Sequence, residues 1–239
     1  MAWLSESDPP DAFPDIESAL REPDGLLAAG GDLSRERLLA AYPAGVFPWY
    51  DDGQPILWWS PDPRCVLFCE DFRQTSRFRR YLRQSTLTLT YNRAFDQVMR
   101  ACAGRRRSEQ GTWITPAMMS AYEDLHESGW AHSVEIWASN RLVGGIYGIG
   151  IGRIFFGESM FSHEDNASKF ALYALTIELL RHDCPMIDCQ VVSEHLLTLG
   201  ATTIPRSEFR VQLNSACRPA KVMDFWPGDE IPIAKFSVE

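Results

Sequence analysis

None of the six cysteines forms a C-x-x-C pair, and the five histidines are scattered without the spacing of zinc ligands. The cysteines therefore read as reduced thiols, and no metal or other cofactor is expected. The opening residues, MAWLSESDPPDAF, are acidic and lack the pattern of a signal peptide, so a cytoplasmic setting is expected. No apolar run is long enough to span a bilayer, which excludes a membrane-spanning reading. Internal repeats, low-complexity tracts and a G-x-x-x-x-G-K-[ST] phosphate loop are absent. Positive charge is scarce, with 23 Lys and Arg against 32 Asp and Glu and a net charge of −9. That balance argues against non-specific nucleic-acid binding by the chain as a whole, although a local basic patch can outweigh it.

What is present suffices for a full core. The chain has 239 residues, 45% of them apolar, enough for one large domain or two unequal ones. Residues 1–63 are rich in turn formers and in Trp and Pro, and are expected to make a small irregular N-terminal domain with one short helix from Ser34, its N-cap, to Tyr42. From residue 64 to 239 the pattern is regular. RCVLFCE and TLTLTYN read as strands, SRFRRYLRQS and AFDQVMRACAG as helices, and Thr115-Pro116 as an N-cap with proline at the first helical position. Residues 132–161 read as three antiparallel strands, the first turn at Ser139-Asn140. Ala167, Phe170, Ala171, Ala174, Leu175 and Leu179 recur on one helical face. MIDCQV then reads as a strand, SEHLLTLG as a helix and EFRVQL as a last strand. The fold class expected is α+β, with a mostly antiparallel sheet whose element order is that of N-acetyltransferase-like domains. That is an analogy of fold, and function has to come from the site.

Four groups of residues carry chemistry. The stretch GVFPWYDDGQPILWWSPDPR holds Trp49, Trp58 and Trp59 on stiff, proline-punctuated backbone, and Trp113 stands just before a helix start. In an extended segment Trp58 and Trp59 point to opposite faces, so they cannot both enter one core. Aromatics on rigid loops either fill a small core or stack on unpaired bases, each stack contributing about 1–3 kcal/mol. Arg73, Arg77, Arg80 and Arg83 fall at helical spacing, suited to a phosphate backbone or to a solvated helix face. Asp188 and Gln190 share one face of the MIDCQV strand and Cys189 the other. The carboxylate can then accept from the Gln190 amide, or the two are simply a polar strand end. Glu158 is an acid inside an apolar strand, either facing water at an edge or buried as part of a site.

Taken together, EPDGLLAAGGDLS, AYPAGVFPWY with ILWWSPDPR, GTWIT, LVGGIYG, GESMFS, NASK, IDCQV, LGA and IPR resemble the bacterial leucyl/phenylalanyl-tRNA–protein transferases. They occur in family order from residue 22 to about residue 206. The resemblance implies transfer of Leu, Phe or, less readily, Met from Leu-tRNA, Phe-tRNA or Met-tRNA to proteins beginning with Arg or Lys, which marks the acceptor for N-end rule degradation. It implies that Trp49 and Trp113 flank the terminal aminoacyl-adenosine with Tyr42 close by. Ile146, Phe155, Met160, Leu175 and Ile187 would form the aminoacyl pocket. Asp188 and Gln190 would be the catalytic pair with Glu158 as a further active-site acid, and Arg73, Arg77, Arg80 and Arg83 a tRNA-binding patch.

On that reading the ester donor is already activated, and the acceptor α-amine, with a pKa near about 7.7, needs no strong base. Asp188 is expected to polarise Gln190, whose oxygen accepts from the attacking amine, with no covalent enzyme intermediate. Two other readings compete. A CoA-dependent acetyltransferase needs a glycine-rich turn leading into a helix, and RLVGG, the nearest approach, leads into a strand. A non-catalytic tRNA- or N-terminus-binding module has no need of the Asp188/Gln190 pair.

Overall fold

In the computed structural model, which describes residues 1–107 and 114–238, the turn-rich first quarter builds a sheet of its own. Its strands are β1 (Ala2–Leu4), β2 (Leu26–Gly30), β3 (Phe47–Pro48) and β4 (Leu57–Trp59), arranged β1-β2-β4-β3. The expectation of an irregular unit is corrected here. The strands run two to five residues, and β2 reads LLAAG, so no alternation betrays them. Between β2 and β3 lies α1 (Arg35–Ala41), where the Ser34 hydroxyl accepts from the Arg37 amide as the capping pattern predicts. A short 3-10 turn, Tyr42–Ala44, follows and closes on Gly45 at φ +83°. Trp58 is fully buried, with its indole nitrogen donating to the Gly30 carbonyl, and Trp59 is half-buried, as their adjacency requires.

The rest of the chain supplies β5 (Arg64–Phe68), α2 (Ser76–Gln84), β6 (Thr88–Tyr91), α3 (Phe95–Arg107), α4 (Pro116–Glu127), β7 (Ala131–Ala138), β8 (Arg141–Ile151), β9 (Ile154–Ser162) and α5 (Ala167–Arg181). It ends with β10 (Met186–Gln190), α6 (Glu194–Thr198), β11 (Thr202–Ile204), α7 (Arg206–Ala216) and β12 (Ile231–Pro232). Eight strands form one sheet in the order β11-β5-β10-β9-β8-β7-β6-β12. Among the described residues every pairing in it is antiparallel except β9 with β10, which α5 connects by crossover. The protein is thus a mixed α/β structure with two mixed sheets, β1 and β2 supplying the parallel pair of the smaller one.

The segment EFRVQL is not a strand but the body of α7. Phe209, Val211 and Leu213 alternate, yet Val211 is 64% exposed while Arg206, Phe209, Leu213 and Ala216 are buried at helical spacing. The strand expected there lies just upstream, in β11, before Pro205 opens the helix.

Successive side chains of the large sheet feed two cores. Tyr147, Ile149, Phe156 and Met186 pack on one face with α3, α4 and the small sheet. Val143, Ile146, Phe155 and Ile187 pack on the other with α5 and α2. The sheet, the β9–β10 pair included, thus lies between two packed cores.

Candidate active site

Register locates the opening. β10 pairs with β9 from Met186–Ile154 to Asp188–Phe156 and no further. Past that point Gln190 adopts φ +64°, and the register of β10 against β5 shifts between Asp188 and Gln190. A non-glycine residue there carries a conformational cost of about 1–3 kcal/mol and persists only when its surroundings impose it. Asp188 is the cause at hand, since its Oδ1 accepts the Gln190 backbone N–H at 2.9 Å. The strict alternation expected for MIDCQV therefore fails at its end. Cys189 lines the same cavity as Gln190 instead of facing away from it, and Asp188 does not line it.

Asp188 is held from the other side by Arg64, at the start of β5. The Arg64 Nε donates to Oδ1 at 2.9 Å and Nη2 to Oδ2 at 2.7 Å. Nη1 donates to the Gly45 carbonyl at 3.2 Å, and the guanidinium lies 4.8 and 4.6 Å from the rings of Phe47 and Phe209. The expected bond from the Gln190 amide to Asp188 is not formed, because both carboxylate oxygens serve Arg64 and the backbone.

The Gln190 amide turns to Glu158 instead, Nε2 donating to Oε1 at 2.9 Å. The Tyr42 hydroxyl lies 2.7 Å from the same oxygen, the Tyr122 hydroxyl lies 3.1 Å from Oε2, and the two tyrosine hydroxyls contact each other. All of these groups are buried. Burial pushes the Glu158 carboxyl up to about 7, against the lowering effect of its hydrogen bonds. Burial, reinforced by Glu158, likewise raises both phenols well above their usual value. At Cys189, contact with the Cys65 thiol and then burial push the thiol well above the usual range.

Glu158 and Gln190 form the polar wall of a cavity of about 270 Å³ whose apolar lining includes Ile146, Met160, Leu172, Ile187 and Leu196. Trp49 lines it from the small sheet's side and is 42% exposed, its ring 5.7 Å from that of Trp59, whose indole donates to the Trp49 carbonyl. Three expected pocket residues, Ile146, Met160 and Ile187, are thus brought together. Phe155 and Leu175 do not line the cavity; both are buried in the core cluster that also holds Ile146 and Ile187. Phe155 pairs with Ile187 where β9 and β10 are still joined, and Leu175 sits about one helical turn beyond Leu172. Trp113 lies outside the described residues. Sequence reasoning misses Arg64, Tyr122 and Leu172. Arg64 carries a signal, a cation opening an apolar strand, RCVLF, whereas Tyr122 in the middle of α4 carries none.

The arginines are exposed, but they do not form one helical stripe. Arg73 precedes the Thr75 cap of α2, so of these four only Arg77, Arg80 and Arg83 lie on the helix. Arg77 and Arg80 sit 5.4 and 5.6 Å from the Tyr81 ring. Arg73, Arg77, Tyr81 and Lys169 line a depression against the first turn of α5, one turn before Leu172 reaches the cavity. Among the described residues no cluster of three His, Cys, Asp or Glu side chains is placed to hold a metal, and no helix is long and apolar enough to cross a membrane.

Comparison with known proteins agrees with the motifs. The profile described as leucyl/phenylalanyl-tRNA protein transferase matches residues 66–214, and that of the same family's N-terminal domain matches residues 31–62. Leucyl/phenylalanyl-tRNA–protein transferases from Azotobacter vinelandii and Pseudomonas aeruginosa are 55% and 53% identical, over 83% and 87% of this chain and 88% and 92% of theirs. A solved protein of unknown function from Bacteroides thetaiotaomicron matches at 12% identity with a TM-score of 0.44, over 87% of this chain and 70% of that one, too distant a likeness to argue from.

Proposed function

The chain belongs to the leucyl/phenylalanyl-tRNA–protein transferase family, and on that premise we propose that it transfers Leu, Phe and, less readily, Met from aminoacyl-tRNA to the α-amine of proteins beginning with Arg or Lys, marking them for N-end rule degradation in the cytoplasm. The observation that carries the proposal is an apolar cavity sized for one side chain and ending on the Gln190–Glu158 hydrogen bond. Ile146, Met160, Leu172 and Ile187 take the donor side chain, with Phe155 and Leu175 shaping that wall from behind. Trp49 stacks at the terminal adenosine together with Trp113. The exposed Arg77, Arg80 and Arg83, with Arg73, meet the tRNA backbone.

With its nitrogen committed to Glu158, the Gln190 amide presents its oxygen as the acceptor for an amine N–H. That hydrogen bond aims the amine lone pair at the ester carbonyl. The C–N bond forms, the C–O bond to the ribose breaks, and the amine's proton ends on the departing ribose oxygen. Holding both reactants supplies the larger share, since orientation is worth about 7–11 kcal/mol in favourable cases. Asp188 acts on Gln190 through the backbone, fixing its unusual φ, and not by polarising its amide. Attack is direct: Cys189 lines the cavity, but its raised thiol is a poor nucleophile at neutral pH. Residues 1–63 act as a small domain that brings Tyr42 and Trp49 to a catalytic domain spanning 64–239. The parallel β9–β10 pair that parts beyond Asp188, with α5 between its strands, supports an acetyltransferase-like description of the larger domain.

The test is transfer of labelled Phe, Leu and Met from their tRNAs to peptides beginning with Arg, Lys or Ala. Labelling of the Arg and Lys peptides, with Met the slowest donor, is expected. Labelling of none of them, or of the Ala peptide equally well, contradicts the proposal.

A further inference from the structure

Three oxygen–oxygen contacts close a ring in the buried wall of the cavity: Tyr42 with Glu158 Oε1 at 2.7 Å, Tyr122 with Oε2 at 3.1 Å, and Tyr42 with Tyr122. Each contact needs one hydrogen. The two phenols bring only two, so with an ionised Glu158 one pair of buried oxygens would face each other lone pair to lone pair. A third hydrogen on Oε2 completes the set in one direction: Glu158 Oε2–H to Tyr122, Tyr122 O–H to Tyr42, and Tyr42 O–H to Oε1. The Gln190 amide also donates to Oε1, which remains an acceptor in that arrangement.

We infer that Glu158 works as a neutral carboxylic acid, closing a three-hydrogen ring with Tyr42 and Tyr122, and that this neutrality keeps the acceptor's α-amine unprotonated beside Gln190. The inference rests on the transferase reading for its second half only. A carboxylate anion on this wall would raise the pKa of an arriving amine and hold it as ammonium, which has no lone pair to attack with. A neutral acid orients the Gln190 amide without that penalty. The surrounding groups agree. The charge of Asp188 of β10 opposes a second negative charge at Glu158, while it is itself matched by Arg64 of β5. Tyr147 of β8 stands edge-on to Tyr122 of α4, and Cys189 of β10 shares the cavity with a thiol held protonated. Burial raises the Glu158 carboxyl in the same direction.

Glu158→Gln tests this, because a carboxamide places an N–H and a C=O where the acid has its O–H and C=O but cannot ionise. Single-turnover Phe transfer at pH 7, lost in Glu158→Ala, should be rescued in large part by Glu158→Gln. Between pH 7 and 9 the parent should lose rate as Glu158 ionises, and the Gln variant should not. Infrared spectra of the parent at pH 6 should carry a protonated-carboxyl C=O band that Glu158→Gln lacks. A parent with no such band at pH 6 would overturn the ring. So would a folded Gln variant as inactive as Glu158→Ala. The band is read without any transfer reaction, so a protein that shows it but transfers nothing refutes the transferase reading and leaves the ring standing.

Discussion

Arg64 grips both carboxylate oxygens of Asp188, at 2.9 and 2.7 Å, where the two side chains are 1% and 0% exposed. The pair joins β5 to β10 and reaches back to Gly45 in the smaller sheet's connection, so Asp188 is as much a strut as part of a site. Removing one partner of such a pair leaves an uncompensated buried charge and costs about 3–5 kcal/mol. Asp188→Ala should lose that much stability in urea unfolding. Asp188→Asn, which still offers an acceptor to the Gln190 N–H, should lose less and retain more turnover. An Asp188→Ala protein of parental stability but no turnover would restore a purely catalytic role.

Glu158 gives the stability a pH dependence of definite sign. Its carboxyl titrates near about 7 when folded against 4.5 when free, so between those values the folded state holds the extra proton. Stability from this group is therefore full below about pH 4.5 and declines as pH rises through 7, by about 3 kcal/mol in all at 1.36 kcal/mol per pKa unit. Urea unfolding from pH 5 to 8 should show a decline in the parent that is absent in Glu158→Gln. Parallel profiles would place Glu158 in a wetter setting than the one described.

The exposed arginines of α2 should make donor binding answer to salt. Arg77→Glu with Arg80→Glu should weaken Phe-tRNA binding and reduce the slope of log affinity against log salt by about 1 for each phosphate no longer neutralised. Transfer from a minimal phenylalanyl-adenosine donor should be nearly unchanged. Equal impairment with both donors would assign these arginines to folding.

Local signals and long-range ones were unequally legible in the sequence. The caps at Ser34 and Thr115, the β7–β8–β9 meander and α5 followed from spacing alone, because each depends on neighbours within a few residues. The short strands of the first sheet did not, since two to five residues carry too little pattern. EFRVQL alternates like a strand, and only packing against Arg64 and the surrounding core shows why Phe209 and its helical neighbours face inward. At the site, Glu158, Gln190 and Asp188 stood out as polar residues in apolar strands. Their true partners, Tyr122 and Arg64, lie 36 and 124 residues away in sequence. The φ reversal at Gln190, which decides whether Asp188 touches an amide side chain or a backbone N–H, has no sequence signature in a residue that is not glycine.

In the proposed reaction Gln190 receives the amine while Cys189, its neighbour in the same cavity, stays a bystander. Single-turnover transfer of labelled Phe from saturating Phe-tRNA to an Arg-initiated peptide, with acid quench, measures both at once. Gln190→Ala should slow the step by about a hundredfold, the scale of a small misplacement of the reacting groups, with donor binding retained. Cys189→Ala should react at close to the parental rate, and no labelled protein thioester should survive the quench in any variant. Unimpaired transfer by Gln190→Ala, or a trapped acyl-thioester that disappears with Cys189, would contradict direct attack at this site.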